Sequence, residues 1–120
     1  MNIDDVKNIA VLGAGVMGHQ ISLLCAIHGY KTICMDTSEE ILKKAEKFAD
    51  DYLPGRVKKG KMAKEEARKA RENISFTQDL KEAVREADYV IEAVIEALER
   101  KVAYMTHYHR NFANVEMAML

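Results

Sequence analysis

A chain of 120 residues, 48% of them apolar, can bury about two-thirds of its extended surface in one ordinary core and is too short for two independent domains. Eighteen basic side chains against nineteen acidic ones leave a formal charge of −1, which excludes any global attraction to nucleic acid or to an anionic membrane surface. The two cysteines, Cys25 and Cys34, lie inside apolar runs without a second pair, so they read as buried reduced thiols and point to a cytoplasmic protein.

Met1 to Lys7 is short and polar, and the apolar run after it is cut by glycines before it reaches membrane-spanning length, so neither an export signal nor an anchor is expected. Ile9 to Leu12 is a continuous apolar run, the pattern of a strand covered on both faces and therefore central. Met17, Ile21, Leu24 and His28 then recur at helical spacing, with Gly29 as a C-terminal stop before Lys31 to Met35 resume extended character. Glu39 to Tyr52 predicts a second helix, broken near Pro54 and Gly55, and Ala63 to Arg71 a third, which together make a helical hairpin. From Arg56 to Asn73 there are eight basic and three acidic residues, a local net charge of +5. Ile74 to Thr77 is a short strand, Asp79 to Glu86 a short helix, and Tyr89 to Glu92 a strand of the same type as the first. Leu98, Val102, Met105, His109 and Phe112 mark one face of a last helix, and Val115 to Leu120 a fifth strand. Strands alternating with crossover helices predict a single α/β domain over residues 1–120, an open and mostly parallel sheet with helices on both faces.

Gly13-Ala14-Gly15-Val16-Met17-Gly18 falls between the first strand and the first helix. Gly13 permits the tight turn, Gly15 lets the backbone approach a pyrophosphate, and Gly18 lets the helix pack closely on the sheet. Backbone N–H groups at the helix start, those of Val16 and Met17 among them, can receive the phosphate charge. Asp36, at the end of the next strand, can accept hydrogen bonds from the adenosine ribose and would repel a 2′-phosphate, favouring NAD over NADP. This is the sequence signature of a Rossmann-type dinucleotide-binding domain. A purely structural glycine turn, and an Asp36 that only caps the helix starting near Ser38, are the alternatives.

Over about Lys7 to Lys101 the sequence resembles the NAD-binding domain of the 3-hydroxyacyl-CoA dehydrogenases, including the bacterial 3-hydroxybutyryl-CoA dehydrogenases. The resemblance is carried by Lys7-Asn8-Ile9-Ala10-Val11-Leu12 with its glycine turn ending in Met17-Gly18, by Asp36, by the helical excursion, and by Ala87-Asp88-Tyr89-Val90-Ile91-Glu92-Ala93-Val94-Ile95-Glu96. It implies that the glycine turn and Asp36 hold the adenosine diphosphate half of NAD, and that Glu96 and Lys101 line the nicotinamide side. It also implies that the hairpin walls an acyl-CoA site, with Lys58, Lys59, Lys61 and Lys64 facing the coenzyme A phosphates. A solvated, charged helix face is the alternative for these lysines.

Two positions depart from the family pattern. Gln20 and Ser22 replace small residues; they are either tolerated on the ligand side or at a helix edge or, at Gln20, narrow the approach to the pyrophosphate. The family reaction passes hydride from a 3-hydroxyacyl-CoA to NAD and needs a histidine base oriented by glutamate. The resemblance places that pair beyond Leu120, so no catalytic residue is assigned and acyl-CoA turnover is expected only with a complementary domain. Of the four histidines, His19 reads as an exposed turn residue, with an approach to the cofactor phosphates as the alternative, His28 as a helix-end residue, and His107 and His109 as two positions that do not face each other. No metal site is expected, since HExxH and cysteine pairs are absent from the sequence, and no clustered aromatics accompany the basic stretch to suggest nucleic acid. Met105, Phe112, Met117, Met119 and Leu120 are candidates for an uncovered edge or apolar face, through which a homodimer is expected. A non-catalytic NAD or adenine-nucleotide module with a regulatory or partner-dependent role, and a structural remnant, are the competing readings.

Overall fold

In the computed structural model, residues 5–93 and 116–119 are described. In chain order they form β1 (Asn8–Leu12), α1 (Val16–Ile27), β2 (Lys31–Met35), α2 (Glu39–Lys58), α3 (Lys64–Asn73), β3 (Ile74–Thr77), α4 (Leu80–Val84), β4 (Tyr89–Glu92) and β5 (Glu116–Met119). The strands make one sheet in the order β3-β2-β1-β4-β5, every described pairing parallel. Central β1 pairs Ala10 with Ile33 on one side and with Val90 on the other.

The apolar run of β1 is used on both faces, as expected for a central strand. Ala10 and Leu12 pack with Met35, Ala83, Val84 and Val90 beneath α4, while Ile9 and Val11 pack on the opposite face with Ala93, Ile21 and Cys25. A further cluster joins α1, α2, α3 and the start of β3 through Leu23, Ala26, Ala49, Leu53, Ala67, Ala70 and Ile74. Alanines at the helix contacts let the hairpin lie close against α1. Arg71 fastens it further: its guanidinium contacts Glu46 and Asp50 of α2, donates to the Ile74 carbonyl and lies 5.9 Å from the Phe76 ring centre.

The helical spacing of Met17 and Leu24 marks α1 but not its buried face: these two are about half exposed (51% and 56%), and the buried residues are Gly18, as expected of the motif, with Ser22, Leu23 and Ala26. Small residues there bring the helix axis close to the sheet. The second helix does not break at Pro54 and Gly55 but runs on to Lys58. Proline removes one hydrogen bond, but Leu53 is buried and Val57 packs on the same cluster, so both sides of the defect are anchored. Gly29 does stop α1: it has φ of 94°, and its N–H and that of Tyr30 return to Ala26 and Cys25. The predicted last helix, with Met105, His107, His109 and Phe112, lies outside the described residues, and so does Leu120; the fifth strand is present over Glu116–Met119, which includes Met117 and Met119. Among the described residues no helix is long and apolar enough to cross a membrane.

Candidate cofactor site

The turn between β1 and α1 sits at the carboxyl edge of the sheet, at its central strand. Gly13 has φ of 103°, a conformation that favours glycine, and its N–H donates to the Met35 carbonyl at 2.7 Å, tying the turn to the end of β2. Gly18 is fixed by contact rather than conformation: a Cβ there would lie 1.6 Å from the Gly13 carbonyl oxygen. Gly15 is the opposite case, since a Cβ at that position meets nothing within 4 Å.

Gly15 is the N-cap of α1, so no side chain caps this helix start, and the first turn holds no acidic residue. Val16 is 72% exposed and Met17 51%. The N–H groups of the first turn have no intrahelical acceptors and carry the positive end of the helix dipole. An open approach at Gly15 and an uncapped helix start together fit an incoming phosphate.

Asp36 follows β2 and bridges the two neighbouring turns. Its Oδ2 accepts from the Ala14 N–H and its Oδ1 from the Ser38 N–H, both at 2.9 Å, while its own N–H donates to the Thr77 carbonyl at 3.2 Å. Both readings of Asp36 therefore have support: it organises its own turn and the glycine turn, and each half-buried oxygen keeps a second lone pair for a ribose hydroxyl. The Ala14 contact was not foreseen from the sequence, because a backbone donor leaves no residue-type signal.

Ser22 is buried, and its hydroxyl donates to the Gly18 carbonyl at 2.7 Å. It therefore stands in the helix–sheet contact, not on the open side of the turn. Gln20 is exposed and lines a surface hollow between α1 and α2 with Leu23, Leu24, Ile27, Phe48 and Tyr52. Cys34 is fully buried beneath the turn; burial, opposed by the Ser22 hydroxyl, pushes its thiol up to about 11, and burial raises Cys25 as well. Both are free thiols with little thiolate at neutral pH.

His19 is half-buried rather than an exposed turn residue, because its ring meets Phe48 and its Nδ1 lies 2.7 Å from the Gly15 carbonyl. His28 caps the end of α1, with Nδ1 at 2.9 Å from the Leu24 carbonyl. Lys58, Lys59, Lys61 and Lys64 are exposed together around the hairpin tip. Since α2 has 20 residues, its far end lies about 30 Å from the end that adjoins Asp36. The lysines and the glycine turn are thus two separate places. Glu96 and Lys101 lie outside the described residues.

A parallel sheet in this order, with a glycine turn on its central strand and a carboxylate on the next, defines a dinucleotide-binding domain. The family model for the 3-hydroxyacyl-CoA dehydrogenase NAD-binding domain matches residues 8–115, and the chain belongs to that family; its cofactor is NAD. It is 32% identical over 101 residues to the mitochondrial hydroxyacyl-coenzyme A dehydrogenase of Rattus norvegicus, covering 80% of this chain and 32% of the rat protein. It is 35% identical over 99 residues to 3-hydroxyadipyl-CoA dehydrogenase of Escherichia coli K12, covering 82% of this chain and 21% of that one. The crystal structure of 3-hydroxybutyryl-CoA dehydrogenase from Escherichia coli K12 superposes with a TM-score of 0.90 at 30% identity, over 96% of this chain and 24% of the other. The chain thus spans a third or less of the length of these relatives.

Proposed function

We propose that the chain is the cofactor-holding part of an NAD-dependent 3-hydroxyacyl-CoA dehydrogenase. The observation that carries this reading is the uncapped, acid-free start of α1 beside Asp36. Gly13, Gly15 and Gly18 shape the turn, the N–H groups of Val16 and Met17 receive the pyrophosphate, and Asp36 receives the adenosine ribose. Family resemblance adds Glu96 and Lys101 on the nicotinamide side. NAD supplies the hydride acceptor for oxidation of the 3-hydroxyl of an acyl-CoA. Lys58, Lys59, Lys61 and Lys64 form a cationic tip suited to the coenzyme A phosphates, and its distance from Asp36 suits a second ligand rather than more of the first.

His19 and His28 each engage a backbone carbonyl through Nδ1, that of Gly15 and that of Leu24. Neither serves as the general base in this reading, and no base is assigned among the described residues; NAD binding without turnover is expected, with the base supplied from another region or partner. The same observation favours the second reading, a non-catalytic nucleotide-binding module. We place the protein in the cytoplasm, where buried thiols stay reduced, and expect a homodimer through the sheet edge at β5 or the C-terminal apolar residues.

Calorimetric titration with NAD, beside Asp36→Ala, tests the cofactor assignment. Saturable binding, weakened about tenfold or more by the substitution, is expected; at 100 times Kd, NAD should stabilise the fold by about 2.7 kcal/mol. No binding at millimolar NAD would overturn the reading. Turnover of a 3-hydroxyacyl-CoA once a C-terminal catalytic domain is added would select the dehydrogenase over the module.

A further inference from the structure

The Gly15 carbonyl accepts twice from one residue. The His19 backbone N–H reaches it at 3.0 Å as the first bond of α1, and the His19 ring reaches it through Nδ1 at 2.7 Å. A carbonyl only accepts, so Nδ1 carries the ring hydrogen in this geometry. The imidazole is also held from its other side. It meets Phe48 edge-to-face, with centroids 4.7 Å apart and planes at 66°. Phe48 in turn stacks on Tyr52 at 5.4 Å and 17°, and the Arg56 guanidinium lies 5.8 Å from the Tyr52 ring centre. Residues 48, 52 and 56 are spaced by four along α2, so a single face of that helix forms the abutment.

Planarity of the peptide bond gives this contact a function. In a trans peptide the Gly15 C=O and the Val16 N–H point in opposite directions, so fixing one fixes the other. Val16 opens α1, is 72% exposed, and its N–H belongs to the first turn that has no intrahelical acceptor. Gly15, whose own side is open, would otherwise be the most permissive hinge of the turn.

We propose that His19 is a positioning residue for dinucleotide binding: its Nδ1–H locks the Gly15–Val16 peptide plane so that the Val16 N–H faces the cofactor's pyrophosphate, with Phe48 holding the ring. The inference rests on the reading of the glycine turn as the cofactor site. It separates His19 from the phosphate-contacting groups, since the ring acts through the backbone and touches no phosphate. It also links α2 to the turn although the two helices are distant in sequence.

NAD and adenosine would each be titrated into the full chain and into His19→Ala, His19→Asn, His19→Gln and Phe48→Leu. An asparagine amide nitrogen occupies roughly the place of Nδ1, whereas that of glutamine falls near Nε2. NAD affinity should fall about five- to tenfold in His19→Ala and His19→Gln. It should recover in His19→Asn and fall less in Phe48→Leu. Adenosine, which carries no phosphate, should bind all variants alike. Unchanged NAD affinity in His19→Ala, or equal losses for NAD and adenosine, overturns the proposal. If His19→Ala does not fold, the asparagine and glutamine variants decide, and equal NAD affinity in the two overturns it. Failure of the unsubstituted chain to bind NAD overturns the cofactor reading and this proposal together; binding that ignores His19 overturns this proposal alone.

Discussion

The turns after β1 and β2 stand side by side at one edge of the sheet and are built in opposite ways. After β2, the Ser38 hydroxyl accepts from the Ile41 N–H at 3.3 Å, and Glu39 and Glu40 occupy the first turn of α2, so that helix start is satisfied by its own sequence. After β1, three glycines replace side chains and α1 begins with neither cap nor acid. Asp36 serves both turns, one oxygen to each. The difference teaches that a helix start stripped of its own anion is left open to an external one, while the neighbouring start is satisfied from within.

The strongest test of this comparison uses one substitution at two glycines. Gly18→Ala drives a methyl into the Gly13 carbonyl and should cost more than about 3 kcal/mol in denaturant unfolding. Gly15→Ala places its methyl in open space at φ of −66°, so stability should stay within about 0.5 kcal/mol while NAD affinity drops about tenfold. Equal destabilisation by both would break the distinction between a packing glycine and a ligand-facing one. Next in size is Ser38→Ala, expected to cost about 1 kcal/mol by thermal or denaturant melting without altering NAD affinity. A change in NAD affinity there would show that the second turn is not self-contained.

The opposite edge of the sheet supplies the smallest expected effect. Asp88 Oδ2 accepts from the backbone N–H groups of Lys7 and Asn8, each at 2.9 Å, and the Lys7 bond, followed by that of Asn8, holds its carboxyl below the ordinary range. The folded state favours the carboxylate, so this contribution is complete above the ordinary carboxylate range and is lost as pH falls through the lowered value. Because the group is partly solvated, Asp88→Asn should flatten the acid limb of the stability profile by about 1 kcal/mol or less, with NAD binding unmoved. A profile identical to that of the unsubstituted chain would show that the staple is idle.

Much of the scaffold could be read from residue order alone. Ile74–Thr77 and Tyr89–Glu92 have the predicted bounds because short β-prone segments beside polar turns leave few alternatives. Of the inward face of α1, Gly18 was legible from the motif, while Ser22 and Ala26 were not, because small side chains leave little periodic signal. Pro54 looked like a break because its backbone cost is local and visible, whereas the contacts of Leu53 and Val57 that override it are tertiary. The placement of the motif glycines between β1 and α1, and of Asp36 just after β2, was legible from spacing. The contact of His19 with Phe48 was not, since only the fold brings a residue 29 positions away against the turn.

The earliest strand in the chain is also the middle one in space, and this has a consequence for how the protein is made. β1 can pair with β2 soon after synthesis, but its other side waits for β4, with Asn8 and Asp88 separated by 80 positions. At ribosomal rates that interval lasts several seconds, about 5–20 residues being added each second. During it the apolar edge of Ile9 to Leu12 is open to wrong partners, while the α2–α3 hairpin can assemble locally. Late closure of β4 on β1 therefore makes the yield of folded protein sensitive to the speed and temperature of expression.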